Sequence, residues 1–563
     1  MAISPPIEPQ ARPAPARRVR AERVQAPWTW PIPLRWEGAA FGLMALVFVG
    51  IGAGGLDLDP GEARLGLAAG SSVGPLGQVF GYWAPDVWPA ELAPSVFLAW
   101  FEPLGRPTPA SIRWPAALAG VLIGMMLWRG ASCRLGRGAG FAAALCWLGS
   151  IGLVDRSGTT GLDLIQALFV MAAIERIHTR GKDLATGVWA AMAFLAGGWP
   201  PLVMIGLAAI VIGRAQGRFS IRPYAPVAAV VALWSVWTIG SAGTEAWAGA
   251  LALPLTRRPD WLLGLSVLAL GLPWSPLAFF AGLEGVRSIP SAGGRAWVKT
   301  WVQVGVAAVV GGTLVPGLGV PARGVALAGL AVAAGLVLNA AWERRLAGKG
   351  RIAFFAVFSA LAVVWLAGAF FGGYVWIMTM PYYRAFGVVM VLLSVAIAIL
   401  VWASLAWGNT RRAVLALLLA AIGIKLVHVC YYAPEWNYRR GQGPWARAVA
   451  QWVPRRSTVY TFHDWPADFA FYLKRPVRQL RSPEYVRLQP KGECKFVLLL
   501  ESEFANWPVS ATPIIPLARF HDADGGERVL ARTTDGPAPL LGPNASPQTA
   551  VELSLNDTDF DDR

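Results

Sequence analysis

Apolar runs of about 15–22 residues recur along the first three quarters of this chain, and no other feature limits its folding as much. A run of that length fits the hydrocarbon core of a bilayer, and a chain with many of them cannot bury them all in a soluble core. Candidate spans fall near 37–56, 111–128, 138–154, 161–175, 184–198, 199–213, 225–240, 261–283, 299–318, 324–341, 352–373, 385–407 and 413–432, thirteen in all. With 55% hydrophobic and 15% charged residues, the composition is that of a membrane protein. The charges test the spans. If helices alternate from a cytoplasmic N-terminus, 24 basic residues fall in inside segments and 8 in outside ones. That is the asymmetry cytoplasmic loops carry. The net charge of +16 therefore needs no nucleic acid to explain it. The 184–213 pair meets at "GGWPP" and reads either as two spans or as one re-entrant hairpin, with the sidedness elsewhere unchanged.

The flanks differ in kind. Residues 1–35 are Pro-, Ala- and Arg-rich without apolar period and read as a disordered basic cytoplasmic tail. The run after them is too long for a signal-peptide core and reads as an uncleaved first span. A membrane domain over 36–432 follows, with a large first outer loop at 57–110. Beyond it, "WARAVAQWVP" and "WPADFAFYLK" read as helices, and "STVYTF" and "KFVLLLE" as strands. They predict a small extracytoplasmic α/β domain over 433–515, then a loose acidic tail over 516–563. The fold class is thus mainly α and polytopic, with a small C-terminal α/β domain. Cys133, Cys146, Cys430 and Cys494 suggest neither a disulfide nor a zinc site. Asn544 and Asn556 match the short glycosylation pattern, which arises by chance.

Chemistry concentrates in the outer segments. "LDLDPGEARLG" at 56–66 crowds carboxylates where the first span ends. Locally it fits a helix start, with Asp59 as N-cap, Pro60 in the first turn and Glu62 closing a capping box. A surface helix begun this way can also hold a carboxylate over a cavity between spans, so the two readings are compatible. A second cluster, "VDRSGTTGLDL", places Asp155, Arg156 and Asp163 at the start of the fourth span. It is either an interfacial ion pair with a capping Asp163 or a functional group facing a cavity. Lys425 and His428 lie near the outer end of the last span; Lys425 reads first as a snorkelling side chain and second as a phosphate contact. Trp28, Trp30, Trp36, Trp83, Trp88, Trp297, Trp301, Trp407 and Trp436 cluster at span ends and read as interfacial anchors.

Taken in order, these features resemble the polyprenyl-phosphate-dependent membrane glycosyltransferases of GT-C type, which include protein O-mannosyltransferases and bacterial lipid A aminoarabinose transferases. "PGEAR" at 60–64 is similar to the family's acidic Asp-Glu-Ala-Arg motif, "RWPAALAG" at 113–120 to its second span, and "DRSGTTGLD" to the start of its fourth. "GGWPPL" loosely matches a Lys-Gly-Pro bend, and "FYLKRPV" at 471–477 matches a strand start in the small outer domain of bacterial members. The resemblance runs from about residue 37 to about 500. It implies transfer of a sugar from a polyprenyl-phosphate carrier to an acceptor hydroxyl at the outer face of the plasma (inner) membrane. It implies Glu62 or Asp59 as base, Asp163 orienting donor or acceptor, and phosphate contacts from Arg64, Arg156, Arg257, Arg258 or Lys425. No metal-ligand spacing is present; a divalent cation bridging the carboxylates is compatible with the residues. The sugar and the acceptor (lipid, glycan or protein) are not encoded in any motif. The chain departs from the family at Gly61, where the family has Asp. It also has no lysine in "YWAPDVWPAEL", and Gly197 or Gly198 replaces the bend lysine. Those departures keep a second reading open, an inactive relative that binds lipid carriers in envelope assembly. A transporter is a third, against which stands the absence of an internal repeat.

Overall fold

The computed structural model describes residues 34–50, 57, 63, 108–156, 162–179, 184–216, 224–252, 259–287, 289–343, 345–346, 348–379, 383–454, 457–462, 467–475, 477–487, 495–521 and 526–534. Its main helices are α1 (Leu34–Gly50), α2 (Pro109–Leu135), α3 (Arg137–Leu148), α4 (Ile151–Arg156), α5 (Leu162–Thr179), α6 (Leu184–Gly197), α7 (Trp199–Gln216) and α8 (Ala225–Ala252). There follow α9 (Leu263–Leu270), α10 (Ala292–Leu314), α11 (Gly319–Trp342), α12 (Gly348–Thr379), α13 (Arg384–Ala406) and α14 (Thr410–Val427). Helix lies at every apolar run. Among the described residues, five helices are long and apolar enough to cross a bilayer alone, and a sixth crossing is available to a bent pair.

The bundle is organised around α11. Eighty-nine per cent of its apolar window is buried, because it is built mostly of Ala, Gly, Val and Leu and lets neighbours approach closely. A Cβ on Gly335 would stand 2.5 Å from the backbone of Ala143 in α3, and one on Gly324 would stand 2.5 Å from the Ala167 methyl in α5. In lipid, where burial of apolar area gives no net drive, such close approach is how helices associate.

Two apolar runs are not single rods. The run 138–154 breaks at Gly149–Ser150 into α3 and α4. The run 261–283, expected as one span, bends by 106° between α9 and a short helix at Ser275–Gly282. "GLPWSP" supplies the reason: Pro273 and Pro276 remove two amide donors within one turn. The 184–213 pair is two helices hinged at Gly198, whose φ of 72° is open to glycine at little cost. The Gln166 amide donates to the Ala196 carbonyl at 3.1 Å and braces this hinge from α5.

The two ends of the bundle differ. At one, Arg134 pairs with Glu175 at 3.0 Å and lies over the Trp297 ring, and Arg411 donates to the Trp342 carbonyl at 3.0 Å. Trp297, whose indole N–H donates to Glu175 at 3.2 Å, and Trp301 are 1% and 2% exposed. Their expected role as interfacial anchors is therefore wrong; both are packed inside the bundle, with Trp297 against Gly130 of α2 and Glu175 of α5. Trp407 and Trp436 are exposed, as an anchor would be.

At the opposite end α14 does not stop at residue 432. It continues through a π turn at His428–Tyr432 into α15 (Ala433–Arg440), a helical stretch to Arg439 that carries the chain out of the bundle. There α16 (Gly443–Trp452) and α17 (Ala467–Leu473) pack on a five-stranded sheet. The strands are β1 (Val459–Thr461), β2 (Val477–Gln479), β3 (Phe496–Leu500), β4 (Ile514–His521) and β5 (Glu527–Thr533), in the order β2-β1-β3-β5-β4. The β1 strand runs parallel to β2 and β3, whereas β5 is antiparallel to β3 and β4. Strand β3, "FVLLL", is central and almost wholly buried, as an unbroken apolar run must be. The sheet runs past residue 515: β4 continues to His521 and β5 covers Glu527–Thr533, so the expected boundary falls inside β4 and the start of the expected tail is strand.

Candidate functional site

The two helix breaks face each other. The Ile151 amide donates to the Leu272 carbonyl at 2.9 Å, and a Cβ on Gly152 would stand 2.8 Å from that of Leu270. Irregular backbone in a membrane protein is sustained where it lines a cavity or is buried in protein. Here both breaks border a small, partly open cavity of about 20 Å³, lined by Trp147, Ser150, Leu153, Leu164, Leu270 and Leu327 among others. The Trp147 indole donates to the Gly120 carbonyl of "RWPAALAG" at 2.9 Å, which fixes that wall.

Among the described residues one charged side chain enters this apolar lining, Arg323 near the N-terminus of α11. Its Nη2 donates to Asp260 Oδ2 at 2.5 Å, while its Nε is buried and finds no acceptor among the described residues. Burying a guanidinium N–H without a partner is costly. The Trp274 indole N–H, beside Gly149 at the break, is likewise buried without an acceptor among the described residues. In the sequence Arg323 is only one of the eight basic residues of the outside segments. Its partner lies 63 residues away, and only the fold joins them.

The candidate residues read from the sequence are placed as follows. Asp59, Glu62, Arg64, Arg257 and Arg258 lie outside the described residues, as do the side chains of Asp155, Arg156 and Asp163. The backbone of Asp163 is in the first turn of α5, directly before the cavity-lining Leu164. Lys425 is 3% exposed; it does not snorkel but is packed inside the bundle.

The acidic stretch is seen at Asp57 and Ala63. The Asp57 amide donates to Asn437 Oδ1 at 2.7 Å, and Arg113, 1% exposed, donates to the Asp57 carbonyl at 2.8 Å. Ala63 is helical and fully buried. Arg113 of "RWPAALAG" is thus the tie between α2 and the loop that follows α1. In "FYLKRPV", Arg475 donates from Nε to the Val453 carbonyl at 3.0 Å and from Nη2 to the Ala450 carbonyl at 3.2 Å. It caps the C-terminus of α16, which accounts for that motif structurally.

No protein-family model matches the chain, and no curated protein matches it in sequence. Among solved structures, it is similar to ArnT from Cupriavidus metallidurans bound to undecaprenyl phosphate, with a TM-score of 0.65 and 15% identity over 90% of this chain and 100% of that one. The apo state of the same protein matches with a TM-score of 0.60 and 16% identity, over 89% and 99% of the two chains. The chain therefore has the GT-C-type fold that the sequence motifs pointed to.

Proposed function

We propose that this chain is an integral-membrane glycosyltransferase that moves a sugar from a polyprenyl-phosphate carrier to an acceptor hydroxyl. The observation that carries the reading is the cavity between the facing helix breaks, with Arg323 in its lining. A guanidinium fork set in an apolar lining suits phosphate oxygens. ArnT, which shares the fold over most of both chains, was solved with undecaprenyl phosphate bound.

In this reading the acceptor oxygen attacks the anomeric carbon as the bond from that carbon to the phosphate oxygen breaks. The electron pair leaves on the carrier phosphate, where Arg323 stabilises it. Glu62 or Asp59 takes the acceptor proton, and Asp163, at the start of α5 beside the cavity, orients a sugar or acceptor hydroxyl. Arg64, Arg156, Arg257 and Arg258 are further phosphate contacts from the outer segments. Buried Lys425 belongs to this set only if the prenyl-phosphate site reaches α14. The arginine-rich end of the bundle faces the cytoplasm and the sheet domain faces outward, in accord with the charge asymmetry.

Thermal stability of the purified protein in lipid tests the reading, because a ligand that binds only the folded state raises Tm. Undecaprenyl phosphate is expected to raise Tm, and neutral undecaprenol to raise it much less. Equal shifts from the two would refute a phosphate site.

A further inference from the structure

The loop after α1 is held at two points, and at both the C-terminal domain takes part together with α2. At the first, Asp57 is gripped three ways. Its amide bonds Asn437 of α15, its carbonyl accepts from Arg113 of α2, and its carboxylate accepts from the Gly443 amide at 3.1 Å. Gly443 opens α16, whose own N-cap residue, Gln442, makes no side-chain cap. Asp57 therefore caps α16 from 386 residues away, supplying the negative charge that a helix N-terminus favours. The fit is close: a Cβ on Gly441 or Gly443 would stand 2.4 or 2.5 Å from Asp57 Oδ2. At the second point, Ala63 is sealed in a cluster with Ile112, Trp445, Ala446 and Phe469, so it is part of the core between α16 and α17. Glu62 and Arg64 are its chain neighbours, and a trans peptide sets their Cα atoms about 3.8 Å from its own.

We infer that Asp57 is a positioning residue, and that the C-terminal sheet domain is an integral part of the transfer site through the two holds it keeps on the acidic loop. The inference rests on the proposed transfer reaction. It adds that Asp57 touches neither substrate nor carrier and acts by fixing where the loop carboxylates stand. A base held out of place by an ångström loses far more rate than the carrier loses affinity, since the carrier phosphate is held chiefly by Arg323, outside this loop.

The test combines hydrogen exchange and kinetics on the full chain in lipid nanodiscs. Asp57→Ala is expected to speed amide exchange at least tenfold in peptides covering 57–63 and 441–446. It is expected to lower kcat at least tenfold, with KM for the polyprenyl-phosphate sugar and Kd for undecaprenyl phosphate within twofold of wild type. Asp57→Asn keeps an oxygen for the Gly443 amide and is expected to retain most of kcat. Gly443→Ala, which keeps Asp57 but crowds it, is expected to resemble Asp57→Ala and serves if that variant folds poorly. Unchanged exchange in Asp57→Ala overturns the clamp, and faster exchange with unchanged kcat overturns its role in positioning. If the wild type shows no turnover, the transferase reading fails, while the exchange ratio still decides whether the clamp exists.

Discussion

Replacing Arg323 by Met removes the cavity's guanidinium while keeping side-chain length and most of the apolar volume. Two effects follow, and their sizes decide what is measured. The Asp260 pair is lost, but its side chains are 28% and 29% exposed, so water and salt screen it and its loss costs on the order of 1 kcal/mol or less. A charge-assisted bond to a bound phosphate is worth about 1.5–3 kcal/mol, which is a loss of roughly 10- to 150-fold in affinity. Binding should therefore fall far more than stability. The assay is equilibrium binding of undecaprenyl phosphate to protein in nanodiscs, beside undecaprenol. Arg323→Met is expected to weaken the phosphate ligand at least tenfold and leave the alcohol within twofold. Arg323→Lys should fall between, having charge without a fork. Asp260→Asn frees the guanidinium and should bind the phosphate as well as wild type or better. Phosphate binding by Arg323→Met within twofold of wild type would refute the assignment of the cavity.

Further outcomes are expected on the same grounds. Glu62→Gln and Asp163→Asn should each abolish transfer without affecting membrane insertion, as read by turnover and by fractionation; near-normal turnover in both would remove the carboxylates from the mechanism. Gly335→Ala drives a methyl against the α3 backbone and should cost about 1–3 kcal/mol, seen as a lowered Tm. Gly206→Ala, with nothing within 4 Å of its Cβ position, is its neutral control. Arg475→Ala leaves the Ala450 and Val453 carbonyls without their donor and should destabilise the sheet domain by about 1–3 kcal/mol. Faster exchange confined to α16 and α17 would report it.

The periodicity of the chain made its helices legible, and the runs "STVYTF" and "KFVLLLE" made two strands so. What escaped was set by distance and by masking. The bend in 261–283 was written in "GLPWSP", but continuous hydropathy concealed it. Strands β4 and β5 carry Arg519, Arg528 and Arg532 along a partly exposed hairpin, and Pro516 interrupts the β4 register. The apolar alternation that identifies a strand is weak there. The tryptophans at 297 and 301 occupy positions like those of true anchors, and only their burial in the bundle tells them apart. The motif "LDLDPGEARLG" looked like a local helix cap. One of its aspartates proves to cap a helix, but a distant one, α16. The Arg323–Asp260 pair and the grip of Asn437 on Asp57 join residues 63 and 380 positions apart, a pairing that periodicity does not encode.

The account's central claim is that a carboxylate on the loop after α1 drives sugar transfer from a polyprenyl-phosphate donor. Its most direct test is release of polyprenyl phosphate from a panel of radiolabelled polyprenyl-phosphate sugars. The assay uses purified protein in lipid, with and without EDTA, beside the Glu62→Gln and Asp59→Asn variants. The account predicts release from at least one donor by the wild type, lost in one or both variants; sensitivity to EDTA would add a divalent cation to the site. Tight donor binding without release, unaltered by either substitution, would contradict it and identify a carrier-binding protein without transferase activity.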